Sequence, residues 1–315
     1  MVKVLITSAS RKVVLVRSFK REALVYVTDI DPLSPAIYVA DFFYRAPLTL
    51  SPDFIPFILE VIRREGIDLI VPTTDDDLSV IASLREELLR EGAFPLVSSP
   101  VVVSTCNDKW KAYAFFKDNG IPTPKTFLLK DLERGRPLPF NAIFKKRFGR
   151  GGRGSFCLNE GELIPENISE DYLVQEYIEG KEYTIDAFVD VDGEVISVVP
   201  RERILVSDGV SIRGRTVKSG ELIHWGKLIC GLLKPLGPIN IQCIWGDRGL
   251  FFTEVNPRFS GGIALTLASG ADFVRWSLSL AKGEKLTPFY DFEEIYMSCY
   301  NEPVFFKSPA RGEKR

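Results

Sequence analysis

The chain has 315 residues, 45% of them hydrophobic, and its formal net charge at neutral pH is −2. This length is enough for a large core divided between two or three domains. The balanced charge gives no general attraction to nucleic acid or to an anionic membrane, and no apolar run is long enough to span a bilayer. We therefore expect neither nucleic acid nor a membrane among its partners.

Cysteine and histidine usage excludes several kinds of site. The five cysteines are scattered, without a CxxC pair: Cys106, Cys157, Cys230, Cys243 and Cys299. This pattern argues against a disulfide framework and a thiolate zinc site, and it fits a cytoplasmic protein. The single histidine, His224, excludes multi-histidine metal sites and argues against histidine acid–base catalysis. The opening residues run straight into a strand-like segment without a signal-peptide pattern.

The first hundred residues alternate strand-like and helix-like segments. The predicted strands are Val2–Thr7, Leu24–Thr28 and Asp68–Pro72, and the predicted helices are Arg11–Glu22, Asp53–Glu65 and Asp75–Glu91. Short apolar strands between helices predict a doubly wound parallel sheet. The first strand is not followed by GxGxxG, so a nicotinamide-dependent dehydrogenase is not expected.

Polar segments follow these strands at the edge where parallel sheets usually bind ligands. They are Thr7–Arg11, Asp29–Asp31 and Thr73–Asp77, each at the carboxyl end of a predicted strand. Further along, Asn107–Asn119 is predicted to be a helix with Asn107 or Asp108 as its N-cap. The prolines of Ile121–Pro124 then favour an extended linker.

A basic strand leads into a glycine-rich loop between residues 142 and 154. Lys145 stands at the end of the strand, and the loop glycines are Gly149, Gly151, Gly152 and Gly154. Glycines permit backbone conformations that bring N–H groups against phosphate oxygens, and Lys145 would add a point charge. The pattern is not a Walker A loop, and a plain mobile hairpin explains it equally well.

A second pattern, Leu173–Asp186, reads as a strand, a short polar connection and a returning strand. Gln175, Glu176, Tyr177 and Ile178 stand at the connection, where backbone groups can meet an adenine edge, and Glu182 can take ribose hydroxyls. A solvated hairpin is the alternative for this segment taken alone. Gln175 and Gln242 are the only glutamines of the chain, which hints that both positions need an amide.

A third pattern places polar groups at period-two spacing on two strands. Glu254, Asn256 and Arg258 point to one side, and Gln242 can join them from a neighbouring strand. One carboxylate and two amide oxygens suit Mg²⁺, and an arginine beside them suits a phosphate. The pattern therefore indicates a metal–nucleotide site; a polar strand face open to water is the alternative.

The three patterns, with Asp108-Lys109 at the head of a helix, resemble the ATP-grasp superfamily in order and spacing. The opening Leu5–Lys12 and the turn Asp29–Pro32 are similar to single-copy carbamoyl-phosphate-synthetase-like proteins, and the pyrrolysine-pathway ligase is a further relative in style. The resemblance implies an α/β and α+β chain, with a parallel-sheet domain before a two-subdomain ATP-grasp fold. The expected boundaries are 1–100 for the first domain, 101–306 for the second, and 307–315 for a flexible tail. Within the second domain we expect a lid over about 126–172 and a large subdomain over about 173–306.

The resemblance also implies a role for each matched residue. Lys109 and Lys145 contact the phosphates of ATP, the 149–154 loop covers them, and Glu182 binds ribose. The segment Gln175–Ile178 holds adenine. One or two Mg²⁺ ions, replaceable by Mn²⁺, are held by Gln242, Glu254 and Asn256. The expected catalytic residues are Arg258, Lys145 and Asn256, with Arg258 stabilising the transferred phosphoryl group.

Two departures from the family pattern matter. Lys146 follows Lys145 where many relatives have proline, so the sequence leaves open which lysine faces the phosphates. Gln242 stands where many relatives carry a carboxylate, which lowers the negative charge around one metal position.

The implied reaction is ligation of a small-molecule carboxylate to an amine, through an acylphosphate and with release of ADP. Three alternatives remain open: a non-catalytic MgATP-binding regulator, carbamoyl-phosphate-synthetase-like chemistry on bicarbonate, and a biotin-dependent carboxylase that would need a separate carrier. The family resemblance also makes a homodimer possible.

A basic cluster upstream of the metal face indicates where the substrate binds. We hypothesise that Arg201 or Arg203, together with Arg213 or Arg215, orients an acidic or amino-acid substrate. Gly261, within Ser260-Gly261-Gly262, is expected either to offer an N–H group to the reacting carboxylate or to form a turn into the next helix. A solvated hairpin whose arginines pair with local glutamates is the alternative.

Overall fold

The protein, described by a computed structural model over residues 1–149, 152 and 154–309, contains three β-sheets. Gly151 of the glycine-rich loop and positions 310–315 of the expected tail lie outside the described residues. Among the described residues, no helix is both long and apolar enough to cross a bilayer.

The first sheet has five parallel strands in the order β3-β2-β1-β4-β5. The strands are β1 (Lys3–Ile6), β2 (Leu24–Asp29), β3 (Phe42–Arg45), β4 (Leu69–Val71) and β5 (Phe94–Pro95). Its helices are α1 (Val13–Lys20), α2 (Phe54–Glu65), α3 (Asp75–Ser83) and α4 (Arg85–Arg90). The predicted doubly wound arrangement is confirmed, because apolar strands alternate with helices that cover the two faces of the sheet.

Local capping chemistry explains the end of α2 and the start of α3, where Thr74 caps the helix. Helix α2 ends at Gly66, whose φ of 63° is in the left-handed region that glycine adopts without strain. A single helix was predicted over Asp75–Glu91, and this was wrong. Leu84 leaves the helical region (φ −95°, ψ 3°) and separates α3 from α4.

Two helices connect the parallel sheet to the rest of the chain: α5 (Pro100–Asn107) and α6 (Lys109–Asp118). The sequence analysis missed α5, although Ser99 caps it through the N–H of Val102 and Pro100 stands at its first position. The predicted helix over Asn107–Asn119 corresponds to α6, with Asp108 as its N-cap.

The second sheet has four antiparallel strands in the order β6-β9-β7-β8. They are β6 (Thr126–Leu128), β7 (Ala142–Lys146), β8 (Phe156–Leu158) and β9 (Tyr172–Glu176). A small apolar cluster around Phe144 and Val174 fills its covered face.

The third sheet is antiparallel, with six strands in the order β14-β13-β10-β11-β12-β15. They are β10 (Lys181–Val189), β11 (Val195–Ser207), β12 (Val210–Thr216), β13 (Gly237–Gly246), β14 (Gly249–Asn256) and β15 (Tyr296–Ser298). Its helices are α7 (Gly220–Leu233), α8 (Ile263–Ala268) and α9 (Phe273–Ala281).

The two faces of the third sheet have different neighbours. One face packs against α7, and Gly226 permits the close approach, since a Cβ there would lie 2.6 Å from Val198. On the other face, apolar residues near one end join the core of the parallel sheet, where Phe19 meets Phe259 edge-to-face at 5.9 Å. The polar residues of this second face are therefore held close to the parallel sheet.

Candidate functional site

A row of polar residues crosses the third sheet on its second face. Glu254 lies opposite Gln242, Gln242 opposite Thr184, and Thr184 opposite Arg201. Side chains directly opposite each other on adjacent strands share a face and lie within contact distance. The structure thus brings Glu254 and Gln242 together, as their spacing predicted, and Asn256 stands beside them opposite Asn240.

Within the described part of the chain, the side-chain oxygens of Glu254 and Gln242 each accept one hydrogen bond. Glu254 Oε1 accepts a hydrogen bond from Asn256 Nδ2 at 3.1 Å, and Gln242 Oε1 accepts one from Arg203 Nη1 at 3.3 Å. Among the residues described, no group of three His, Cys, Asp or Glu residues could hold a metal. The three candidate ligands do not form such a group, because two of them are amides. One carboxylate and two amide oxygens fit Mg²⁺ when phosphate oxygens and water complete the ligand set.

Arg258 connects this face to the parallel sheet. Its Nη2 donates to Asn256 Oδ1 at 3.4 Å, while its Nε donates to Asp75 Oδ1 at 2.8 Å. Asp75 is the first residue of α3. Asp75 belongs to the Thr73–Asp77 segment that was predicted at a ligand edge, but its contact with Arg258 was not predicted.

Lys145, rather than Lys146, faces the polar row. Burial, the larger effect, and the positive charge of Lys109 lower the pKa of Lys145, whereas the negative charges of Glu254 and Glu182 oppose that shift. Lys146 is exposed and lies beside the glycine-rich loop, its Cβ 3.7 Å from where a Cβ on Gly149 would be.

A chain of hydrogen bonds holds Lys145 in place. Lys145 Nζ donates to Gln175 Oε1 at 2.9 Å, and Gln175 Nε2 donates to Thr126 Oγ1 at 2.9 Å. Thr126 Oγ1 in turn donates to the carbonyl of Pro124 at 2.9 Å. Because a carbonyl can only accept, the direction of the chain is fixed, and the amide oxygen of Gln175 must face Lys145.

Lys109 joins the site from the first turn of α6. Its Nζ donates to the carbonyl oxygen of Gly149 at 2.6 Å, so it lies against the start of the glycine-rich loop. The described loop glycines Gly149, Gly152 and Gly154 all have positive φ, at 148°, 66° and 76°, which glycine adopts readily.

Arg147, which the sequence analysis did not select, fixes the start of α6. Its guanidinium donates twice to the carboxylate of Asp108, at 2.8 Å and 2.6 Å, while Asp108 also caps α6. Burial opposes ionisation of Asp108, but the hydrogen bonds and charge of Arg147 outweigh it and lower the pKa of that carboxyl. Lys109 is thereby held at a defined position.

The predicted adenine segment lies at the end of β9, with two of its N–H groups already in use. The N–H of Glu176 donates to Lys125 at 2.8 Å, and that of Tyr177 donates to Asn141 at 2.7 Å. The Glu176 carboxylate pairs with Arg248 at 2.6 Å. The structure therefore does not support adenine contacts through these two N–H groups. Tyr177 is exposed, and Ile178 is buried.

The expected grouping of acceptor arginines was wrong. Arg201 is 2% exposed, and its Nε and Nη2 donate to Asp186 at 2.7 Å and 3.2 Å, so this edge of its guanidinium is occupied. Arg203 pairs with Glu182 at 3.1 Å, on the face of the polar row. Arg213 and Arg215 lie on the opposite face of the sheet, because Arg215 is opposite Glu202 in the ladder and pairs with it.

The turn after Arg258 is tightly packed, which limits the predicted role of Gly261. A Cβ on Gly261 would lie 2.9 Å from Val210, and one on Gly262 would lie 2.6 Å from Arg201 Nη1. A side chain at either position would therefore require Val210 or Arg201 to shift, whether or not an N–H group there contacts a ligand.

Comparisons with known protein families match two parts of the chain. Residues 169–302 match the family described as "ATP-grasp in the biosynthetic pathway with Ter operon". Residues 4–96 match the family described as "PylC-like, N-terminal domain".

Solved structures share the fold at low identity. The biotin carboxylase domain of 2-oxoglutarate carboxylase from Hydrogenobacter thermophilus, solved as a dimer with MgADP, ADP and bicarbonate, is 17% identical, with a TM-score of 0.70 over 91% of this chain and 72% of that one. N5-carboxyaminoimidazole ribonucleotide synthetase from Thermotoga maritima is 21% identical, with a TM-score of 0.66 over 91% of this chain and 78% of that one. N5-carboxyaminoimidazole synthetase from Staphylococcus aureus, solved with ADP, is 13% identical, with a TM-score of 0.69 over 91% and 79%. At these identities the likeness concerns the fold, and together with the family matches it confirms the predicted fold class and the ATP-grasp resemblance.

Proposed function

We propose that this chain, an ATP-grasp protein with a PylC-like N-terminal domain, is an ADP-forming ligase that joins a carboxylate to an amine. The observation that carries the proposal is the meeting of Glu254, Asn256 and Arg258 on one sheet face, with the charge of Glu254 acting on Lys145. Two cations and a set of oxygen ligands around one space suit the polyphosphate of a nucleotide.

The nucleotide would be ATP, held between the second and third sheets. Lys109 and Lys145 would contact its phosphates, and the glycine-rich loop, including Gly149, Gly152 and Gly154, would cover them. Adenine would lie against the end of β9 near Ile178, and Glu182 would take the ribose. The exposed position of Glu182 and its pairing with Arg203 leave the carboxylate near the polar row.

Gln242, Glu254 and Asn256 would hold Mg²⁺, or Mn²⁺ in its place, which neutralises phosphate charge when bound. The structures from H. thermophilus and S. aureus were solved with MgADP and ADP respectively, which supports this choice of ligand. Glu254 is the only carboxylate of this set, so we expect it to contribute most to the affinity for the metal.

The chain's own residues would then act by position and charge. An oxygen of the substrate carboxylate attacks the γ-phosphorus of ATP, the bond to the β–γ bridging oxygen breaks, and ADP leaves. Arg258 and Lys145 stabilise the negative charge on the transferred phosphoryl group. The amine then attacks the acyl carbon, phosphate leaves with the bonding electrons, and the amine loses a proton.

This mechanism needs no covalent nucleophile on the protein. Burial raises the pKa of both Cys230 and Cys243 to about 12, and it also raises the pKa of Cys106. Thiols held protonated in this way are poor nucleophiles. The chemistry of these three buried cysteines thus agrees with a reaction driven by positioning.

Bicarbonate is the second candidate for the carboxylate, because the H. thermophilus structure was solved with bicarbonate. The same structure is a dimer, and a homodimer is our proposal for this chain as well, tested by light scattering after size-exclusion chromatography.

The test is turnover with MgATP over a panel of amino acids, dipeptides, small carboxylates and bicarbonate, with and without amines. We expect ADP and phosphate in equal amounts only with a particular acid–amine pair, and a hydroxamate when hydroxylamine replaces the amine. AMP and pyrophosphate would contradict the proposed mechanism. MgATP binding without turnover across the panel would favour a non-catalytic nucleotide-binding regulator.

A further inference from the structure

The ion pair between Arg258 and Asp75 joins two parts of the molecule that are far apart in sequence. The two residues are separated by 183 positions, and the Nε–Oδ1 distance is 2.8 Å. Their side chains are only 17% and 22% exposed. A pair shielded from water to this extent is worth more than an exposed ion pair on the surface.

The geometry of the contact determines which edge of the guanidinium remains for a ligand. Asp75 accepts from Nε, whereas Nη2 faces Asn256 Oδ1 at 3.4 Å. A guanidinium is planar and donates along two edges, so a partner at Nε fixes its plane and leaves the Nη1–Nη2 edge for a second anion. In this protein that edge lies on the side of the candidate metal ligands.

Asp75 is itself held firmly. It is the first residue of α3, whose N-cap Thr74 accepts from the N–H of Asp77. Its carbonyl accepts from Asn107 Nδ2 at 2.9 Å and from Ser79 Oγ at 3.1 Å. Asn107 directly precedes the cap of the helix that carries Lys109, so the backbone of Asp75 is tied to the phosphate-facing part of the site.

We propose that Asp75 is a positioning residue for Arg258. By holding Nε it directs the Nη groups toward the phosphoryl group that is transferred, and this role rests on the proposed ligase function. The PylC-like domain therefore contributes directly to the orientation of a catalytic side chain, in addition to packing against the third sheet. A merely structural ion pair would stabilise the fold without affecting the turnover of bound substrates.

The first readout needs neither nucleotide nor substrate. In protein labelled with ¹⁵N-arginine, the Nε–Hε resonance of Arg258 is assigned by its loss in Arg258→Lys. We expect Asp75→Asn to shift this resonance and to speed its exchange with water. The control Glu91→Gln removes the carboxylate of an exposed ion pair with Arg63, 2.6 Å long and distant from the site, and should leave the Arg258 resonance unchanged. An unchanged resonance in Asp75→Asn would overturn the proposal.

The second readout separates positioning from stability. With an acid–amine pair that supports turnover, we expect Asp75→Asn to lower kcat about tenfold, with the KM for MgATP unchanged within about twofold, and Asp75→Glu to restore part of the loss. A lowered melting temperature with an unchanged kcat would overturn the proposal. If Asp75→Asn does not fold, the resonance is read in Asp75→Ala, which also removes the carboxylate and where a position identical to the parent would overturn the proposal. If the parent shows no turnover, the ligase proposal fails, and the resonance still decides whether Asp75 orients Arg258.

Discussion

The carboxyl edge of the parallel sheet and the polar face of the third sheet both collect acidic and hydroxyl side chains, but their hydrogen bonding differs. At the parallel-sheet edge, the buried Asp77 carboxylate accepts from Thr7 at 2.8 Å, Ser8 at 3.1 Å and Thr49 at 2.8 Å. Asp29 accepts from the N–H groups of Ser10 at 2.6 Å and Asp31 at 3.0 Å. These carboxylates organise the loops that follow β1 and β2.

On the polar face, the side-chain oxygens of Glu254 and Gln242 accept fewer hydrogen bonds from the described residues. The contacts of Glu254 Oε1 and Gln242 Oε1 measure 3.1 Å and 3.3 Å, and Lys145 lies where burial lowers its pKa. A carboxylate that already accepts several hydrogen bonds gains little from a ligand, whereas one that accepts a single hydrogen bond gains much. Both regions look like sites in the sequence, but among the described residues the oxygens of Glu254 and Gln242 keep more capacity for a ligand.

The largest expected effect comes from Glu254→Gln. Removing the only carboxylate among the candidate metal ligands should lower kcat by about 10²-fold or more, since charge stabilisation by the bound ion is lost. ADP release under saturating MgATP measures the effect. A kcat within a few-fold of that of the parent would contradict the assignment of the metal site to the polar face.

Asp77→Asn should have the opposite profile. Losing the charge that three hydroxyl groups share should lower the free energy of unfolding by about 2–4 kcal/mol, measured by urea denaturation. MgATP affinity should stay within about twofold of the parent, because Asp77 only supports loops at the other sheet. A large loss of nucleotide affinity with unchanged stability would mean that the parallel-sheet edge is the binding site.

Gln175→Met tests whether the hydrogen-bond chain positions Lys145. The substitution keeps the side-chain length but removes the acceptor of Lys145 Nζ, so we expect kcat to fall about tenfold. Thr126→Val serves as the matched variant, since it removes the acceptor of Gln175 Nε2 but retains the amide oxygen that accepts from Lys145, and it should have a smaller effect. Equal activity in the parent and Gln175→Met would remove Gln175 from the site.

The smallest effect is a pH-dependent loss of stability in Asp108→Asn, which keeps the helix cap and removes the charge facing Arg147. The pKa of Asp108 is lowered in the folded protein. Its charge therefore stabilises the fold above the pKa of the unfolded state, ~4, and this stabilisation is lost as the pH falls through the lower pKa of the folded state. We expect the free energies of unfolding of parent and variant to differ by about 1 kcal/mol at neutral pH and to become equal in acid. A difference independent of pH would contradict the assignment.

Local patterns in the sequence predicted the parts of the site that depend on spacing along one strand. Glu254 and Asn256 share a face because side chains two apart on a strand always do. The stop of α2 followed from Gly66. The helix over Pro100–Asn107 also had its signal in Ser99-Pro100, which the sequence analysis did not use.

The wrong grouping of Arg201 or Arg203 with Arg213 or Arg215 could have been avoided from the sequence. Asp208-Gly209 form a two-residue turn in which both φ angles are positive, at 50° and 75°, and Ser207 pairs with Val210. In the regular ladder of such a hairpin, the residue numbers of each opposite pair add to an odd number, as for Arg203 with Gly214 and Glu202 with Arg215. An odd-numbered residue therefore shares its face with even-numbered residues of the other strand, which predicts that the odd-numbered arginines of the two strands point to opposite faces. The contact between Asp75 and Arg258 is different, because it arises when the parallel sheet packs against the third sheet, and no local pattern encodes that packing.

The most direct test of the account is the position of Mn²⁺, used in place of Mg²⁺, in crystals grown with MnADP. Anomalous scattering locates the ion without regard to any assumed site. We predict that the ion lies about 2.0–2.3 Å from oxygens of Glu254 and Asn256, with the nucleotide phosphates toward Lys145. An ion or nucleotide bound at the carboxyl edge of the parallel sheet, beside Thr7–Ser10, would contradict the central claim.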